Sequence, residues 1–246
     1  MADHSKDTNT QGWLSLSEWW PIPRACGFIH ASLDDTLHSL TDWKTPLVAD
    51  YGATLRVHEI KGTIDDAFKA LLPLRSPQPN KYLLLPTASG EWTAVFNNDF
   101  RGTEPHSLVF VMNRHYGHDS IEAIDIPHTL SKDKLHGYYG CTAFIYQYSK
   151  GKERWVRNMR THQGWEFGTV GDPLPFEDIS LFNQPHAKDR FDHDTLLRYL
   201  AAMGIDVSDK AFYMPEGRAV IIEEHEQDFG SDVEIKTWSL TDARKR

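Results

Sequence analysis

Residues 81–96 read KYLLLPTASGEWTAVF and contain the clearest fold-determining pattern in the chain. The apolar run KYLLLPT is typical of a buried strand, and the small residues at 88–90 are typical of a turn. The run EWTAVF places Trp92, Ala94 and Phe96 on one face of a second strand. The stretch therefore predicts a β-hairpin.

Capping signals predict helices before and after this hairpin. Ser32 precedes an apolar-periodic stretch and has an acid three positions later, an arrangement typical of a helix N-terminus. Pro46 marks the expected end of that helix. Further helices are predicted to begin after Thr63, Thr103 and Asp192.

Alternating segments predict the remaining strands. They read TLRVHEI, IEAIDI, YYGCTAFIYQY, ERWVRNMRTH, WEFGTV and AVIIEEH. The order hairpin, helix, strand predicts an α+β fold, with a mainly antiparallel sheet and helices packed chiefly on one face. We expect residues 1–12, which are polar, to be a flexible N-terminus and residues 13–246 to form a single domain.

Composition excludes several classes of protein. The 246 residues are 40% hydrophobic and 25% charged, with a formal net charge of −9. No apolar run is long enough to cross a membrane, and the first ten residues lack the basic and apolar regions of a secretory signal. Two cysteines are too few for a disulfide framework. We therefore expect a cytoplasmic protein with no membrane partner.

Motifs for the common enzyme classes are missing from the sequence. It contains no GxSxG, P-loop or GxGxxG pattern, so we predict no catalytic residues and no cofactor. Histidines and an aspartate at His115, His118 and Asp119 could hold zinc or iron, but they surround the helix-ending Gly117 and form no recognised metal motif. We predict no metal here and keep a metal-dependent hydrolase using the His115–Asp119 region as the alternative.

Two charged runs are better explained by strand structure than by a binding or catalytic site. Five basic residues follow position 149: Lys150, Lys152, Arg154, Arg157 and Arg160. Strand alternation divides their side chains between two faces of the sheet, so we predict no nucleic-acid partner. Residues 223–226 read EEHE and resemble the end of a strand entering solvent more than a pair of catalytic carboxylates.

Two separated blocks resemble a bacterial protein family. The stretch KYLLLPTASGEWTAVFNNDFRGTEPHSL is similar to the pattern LLxPTxSGWTAxFDNxxxGTDPxS. GWEFGTVGDPLPFED followed by KDRFDHDTLLRYLAAMGIDVSDKAFY is similar to RWxFxxSGxPxPFE…RDRFTxExLxxYLxxLGI…FY. Both patterns occur in a poorly characterised group of bacterial α+β proteins of about this length. Glu91 is inserted before Trp92, and Asn98 departs from the usual acid–Asn order.

This resemblance implies a function at the level of class. Acidic proteins of this kind without catalytic motifs resemble immunity proteins, which bind and neutralise a cognate bacterial toxin by occluding its active site. Residues 171–246 hold 16 acidic and 9 basic side chains, so an electrostatic contact with a basic toxin is expected there. The candidate partner-binding residues are Asp172, Glu177, Asp178, Asp189, Asp192 and Asp194, with Trp19 and Trp20 as aromatic contacts. A non-catalytic regulatory scaffold is a further alternative.

Overall fold

The computed structural model describes residues 14–101, 105–131, 133, 137–225 and 234–245. Its strands are β1 (Ala25–Ile29), β2 (Thr54–Lys61), β3 (Leu74–Ser76), β4 (Lys81–Pro86), β5 (Thr93–Asn97), β6 (Ser120–Ile126), β7 (Cys141–Tyr148), β8 (Lys152–Arg160), β9 (Trp165–Val170), β10 (Arg218–His225) and β11 (Lys236–Trp238). Its α-helices are α1 (Leu33–Ala49), α2 (Ile64–Leu71), α3 (His106–Arg114), α4 (His193–Ala202) and α5 (Leu240–Ala243).

Nine strands form one sheet in the order β2-β10-β4-β5-β1-β6-β7-β8-β9. Every neighbouring pair is antiparallel. The hairpin predicted at 81–96 is confirmed as β4 and β5, with Leu84 opposite Val95, and it lies inside the sheet. A second, two-stranded sheet joins β3 to β11.

The predicted α+β class and antiparallel sheet are confirmed, but the helices do not share one face. Leu84 and Val95 pack with α1 and α3 in one hydrophobic cluster. Leu83 and Phe96, whose side chains point the other way, pack with α2 and α4 in a larger cluster. Strands that are apolar on both faces need cover on both sides, which explains this division of the helices.

Local capping chemistry sets most of the helix starts. Ser32 accepts a hydrogen bond from the Asp35 amide, and Thr63 with Asp66 forms a complete capping box. Helix α1 differs from the prediction because it continues past Pro46 to Ala49. Pro46 has no backbone N–H and so cannot donate a helical hydrogen bond. The buried Val48 nevertheless holds this last turn against the core.

Some predictions concern residues outside the described ranges. The flexible N-terminus predicted for residues 1–12 and the cap predicted at Thr103 are among them, and α3 begins directly after Pro105. The single domain over 13–246 stays a prediction. Among the described helices, none combines the length and the hydropathy needed to cross a bilayer.

Candidate functional site

Five of the predicted partner-binding acids are exposed along the segment that joins β9 to α4 and in the first turn of α4. They are Asp172, Asp178, Asp189, Asp192 and Asp194. Two short 3-10 helices, Ile179–Asn183 and Ala187–Asp189, shape this segment, which we call the acidic segment (residues 171–194). Phe182 packs against the Phe167 ring of β9 at a centroid distance of 5.1 Å. The acidic segment is therefore held against the last strand of the sheet.

Glu177 does not belong to the exposed set, which corrects the sequence prediction. Its side chain is fully buried, and its Oε1 accepts a hydrogen bond of 2.8 Å from Nε of the equally buried Arg154. The same guanidinium donates through Nη1 to the carbonyls of Val170 and Gly171. Two charges that leave water must be paired and hydrogen-bonded, so Glu177 anchors the acidic segment to β8 and cannot contact a partner.

Two of the exposed aspartates hold local turns. Asp178 accepts hydrogen bonds from the hydroxyl and the amide of Ser180, which lower the pKa of the Asp178 carboxyl. Asp192 caps α4 by accepting from the amide and the hydroxyl of Thr195 at 2.9 and 2.6 Å. Both carboxylates are therefore exposed and fixed in position.

The tryptophan pair at the N-terminal end divides into a core residue and a surface residue. Trp19 is only 7% exposed, stacks on Phe68 at 5.5 Å and donates from Nε1 to Asp65. It is part of the core rather than a contact residue, which corrects the prediction. Trp20 is half-buried, and the Arg24 guanidinium lies 4.6 Å from the centroid of its ring.

The histidine-rich segment does not assemble into one constellation. Nε2 of His118 lies 3.0 Å from the hydroxyl of Ser39. Asp119 accepts hydrogen bonds from the Tyr146 hydroxyl and the Ser149 amide, each at 3.0 Å. His115 is exposed at the end of α3. Within the described ranges, no three His, Cys, Asp or Glu side chains are grouped as metal ligands.

A polar cleft of about 380 Å³ lies where β4 begins and β5 and β10 end, beside the β3–β11 sheet. Its lining residues are Pro73, Arg75, Asn80, Lys81, Asn98, Glu223, Glu224, His225, Ile235 and Thr237. Sequence reasoning placed residues 223–226 in solvent, and the structure places the first three of them on the wall of this cleft. The cleft forms because Asn98 bridges the strand ends, accepting from the amides of Asn80 and Lys81.

The two glutamates of the cleft, Glu223 and Glu224, each lie within 4 Å of a lysine ammonium group. Lys44 of α1 reaches Oε1 of Glu224 at 2.6 Å and the Tyr82 hydroxyl at 2.7 Å. Burial alone would lower the pKa of Lys44, but the neighbouring Tyr82 and Glu224 raise it. Lys81 donates to the carbonyls of Ala70 and Leu72. The Glu223 side chain is 30% exposed, and its Oε1 lies 3.9 Å from Nζ of Lys81.

The sequence contained one usable signal for these sites. Arg154 shares a strand face with the buried Val156, and an arginine on an apolar face needs a buried acceptor. Nothing local identifies Glu177 as that acceptor, or Glu224 as the partner of Lys44, because each pair is brought together only by the fold.

Comparison of the chain with protein-family models, with curated protein sequences and with solved structures finds no match to any of them.

Proposed function

We propose that this chain is an immunity-type protein that binds a cognate bacterial toxin domain in the cytoplasm and neutralises it by covering the toxin's active site. The partner is a protein with a basic surface, and the contact is made by the acidic segment. The proposal follows the family resemblance of the two sequence blocks.

The observation that supports it best is the exposure of five aspartates along one segment that a buried ion pair holds to the body of the fold. The Arg154–Glu177 ion pair fixes the segment to β8, and capping bonds fix Asp178 and Asp192. A surface whose charges are already positioned loses little conformational freedom on binding. Such a surface suits rapid capture of an oppositely charged protein, because complementary charge raises the association rate.

The contact surface is tested by reversing charges that have no structural role. Asp172 and Asp189 are exposed and make no side-chain hydrogen bond to the other described residues, whereas Asp178 and Asp192 hold turns. The double variant Asp172→Lys/Asp189→Lys should lower the association rate with the toxin domain by about tenfold to a hundredfold at low salt. Asp50→Lys is the matched control, because Asp50 is exposed at the end of α1 on the opposite face of the sheet.

The measurement is stopped-flow or surface-plasmon kinetics with the toxin domain encoded beside this chain, together with rescue of growth on co-expression. Binding that is slowed by the double variant and left unchanged by Asp50→Lys supports the proposal. If wild-type protein neither binds that domain in calorimetry nor relieves its toxicity, the proposed function is wrong. Stoichiometric metal that is lost in His118→Ala would instead favour the hydrolase alternative.

A further inference from the structure

The two edges of the nine-stranded sheet differ in charge. The β2 edge carries four ionisable side chains in eight residues, which are Arg56, His58, Glu59 and Lys61. The β9 edge carries only Glu166 in six residues, and Thr169 and Val170 are exposed on it. Charged side chains along an edge discourage pairing with another strand. The β2 edge therefore has this protection and the β9 edge largely lacks it.

Hydrogen bonding in the β8–β9 turn shows which backbone groups of β9 point outward. Thr161 and Gly164 exchange both N–H···O bonds, so they form a hydrogen-bonded pair. Such pairs alternate along an antiparallel ladder, and the register places Met159 opposite Glu166 two positions further on. The backbone N–H and C=O groups of Trp165, Phe167 and Thr169 therefore point away from β8. Among the described residues, no hydrogen bond outside the sheet uses these backbone groups.

The sheet face beside this edge, on the side of α1 and α3, is partly open. Ile145, Trp155 and Val170 lie in one cross-strand row there, and Val170 is 44% exposed. The Trp155 indole leans over Gly168, since a Cβ at position 168 would stand 3.2 Å from its ring. An apolar strip thus reaches the outermost strand.

We propose that β9 pairs with β9 of a second copy of this chain, antiparallel about a two-fold axis, so that one sheet continues through both copies. The register that uses the outward groups of both strands places Phe167 opposite Phe167 of the second copy. It also places Trp165 of each copy opposite Thr169 of the other. These three positions give about six backbone hydrogen bonds. Phe167, the central residue, then faces its own equivalent, and aromatic cross-strand pairs stabilise a sheet.

Charge complementarity favours a second copy over an unrelated strand. In this register Glu166 stands opposite Gly168 of the second copy, and Arg157 occupies the next position in the same row. The Trp155 indole covers Gly168, and the Arg157 guanidinium lies 5.2 Å from the centroid of that ring, so the guanidinium of one copy is held above the position that faces Glu166 of the other. Both Glu166 and Arg157 are exposed. Within its own copy Glu166 accepts only the Thr161 hydroxyl at 2.8 Å among the described residues, and Arg157 contacts only the Trp155 ring, so neither charge is neutralised there. The two-fold axis generates this pair twice.

The first test is the mass of the purified full chain by light scattering and sedimentation equilibrium. The proposal expects twice the mass of one 28.2 kDa chain. Thr169→Pro removes an outward N–H and should yield the monomer. Val57→Pro is the matched control on the β2 edge, where Val57 is also exposed and its N–H also points outward, because Gly62 pairs with Gly217. Circular dichroism checks that both variants fold.

The second test is a charge exchange. Glu166→Arg alone and Arg157→Glu alone should each weaken the dimer by about tenfold or more, because like charges then meet across the axis. The double variant Glu166→Arg/Arg157→Glu should restore the wild-type dissociation constant. A monomeric wild-type chain, a dimer unaffected by Thr169→Pro, or a double variant no tighter than the singles would overturn the proposal. These outcomes are independent of toxin binding.

Discussion

Arg154 and Glu177 form a two-pronged ion pair between β8 and the acidic segment, with both side chains almost completely buried. A buried charge pair is stable only when the two charges neutralise each other and their remaining polar atoms form hydrogen bonds. Here the Leu174 amide donates to Glu177, and Arg154 donates to two backbone carbonyls. The arrangement ties the segment that carries the exposed aspartates to the interior of the fold.

Removing one member of this pair should be strongly destabilising. Glu177→Ala leaves the Arg154 guanidinium buried without its carboxylate, and we expect a loss of about 3–5 kcal/mol in the free energy of unfolding. Urea denaturation followed by tryptophan fluorescence measures this loss. Asp172→Ala, at an exposed position of the same segment, should change stability by no more than about 0.5 kcal/mol. Equal effects of the two variants would show that Glu177 is not the anchor.

The contact between Asp125 and His193 predicts a pH dependence of stability. Oδ2 of Asp125 lies 2.7 Å from Nδ1 of His193, and this hydrogen bond raises the pKa of the imidazole above its ordinary value of 6.5. A raised pKa in the folded state means that the contribution to stability is fully present below 6.5 and is lost as the pH rises through the folded-state pKa.

The comparison that checks it is wild type against Asp125→Asn, by urea denaturation at a series of pH values. The free energy of unfolding of the wild type should exceed that of the variant most at acidic pH near 5, where imidazole is protonated in both folded and unfolded chains. This difference in stability should shrink above neutrality. An NMR titration of His193 gives its pKa directly. A difference that grows with rising pH would contradict the assignment.

Trp92 is predicted to be the most costly aromatic side chain to truncate in the central hairpin region. It is 3% exposed, and its Nε1 donates to the carbonyl of Met203 at 3.0 Å. Trp92→Ala should reduce the free energy of unfolding by about 3–5 kcal/mol, through the cavity and the lost hydrogen bond. Trp165→Ala is the comparison, because Trp165 is half-exposed on β9 and should cost clearly less. Thermal denaturation of both variants measures the two losses of stability.

Prediction from sequence worked best where the physical cause is local. Ser32, Thr63 and Asp192 were identified as N-caps because the side chain and the amide that it bonds lie within three positions. The β4–β5 hairpin follows from alternation and a short turn, and the β8 and β9 strands follow from alternation. The packing of Trp92 and Phe96 followed from the same alternation.

Prediction failed where the cause lies far away in the chain. Trp19 stands in a polar, aromatic stretch that gives no sign of the Phe68 ring on which it stacks. Glu177 is one of many acids in its third of the chain, and only the position of β8 distinguishes it from the exposed aspartates. The run at 223–226 predicts a solvent-exposed strand end, because nothing local shows that Lys44, 180 positions earlier, pairs with Glu224.

The sequence by itself determined the α+β class, the hairpins, the capped helices and the overall acidity, since each depends on side-chain period, turn chemistry or composition. Tertiary structure decided the strand order, the division of the helices between two faces, the burial of Glu177 and the exposure of β9 as an edge. These features depend on contacts between segments that are far apart in the sequence, and no local sequence pattern determines those contacts.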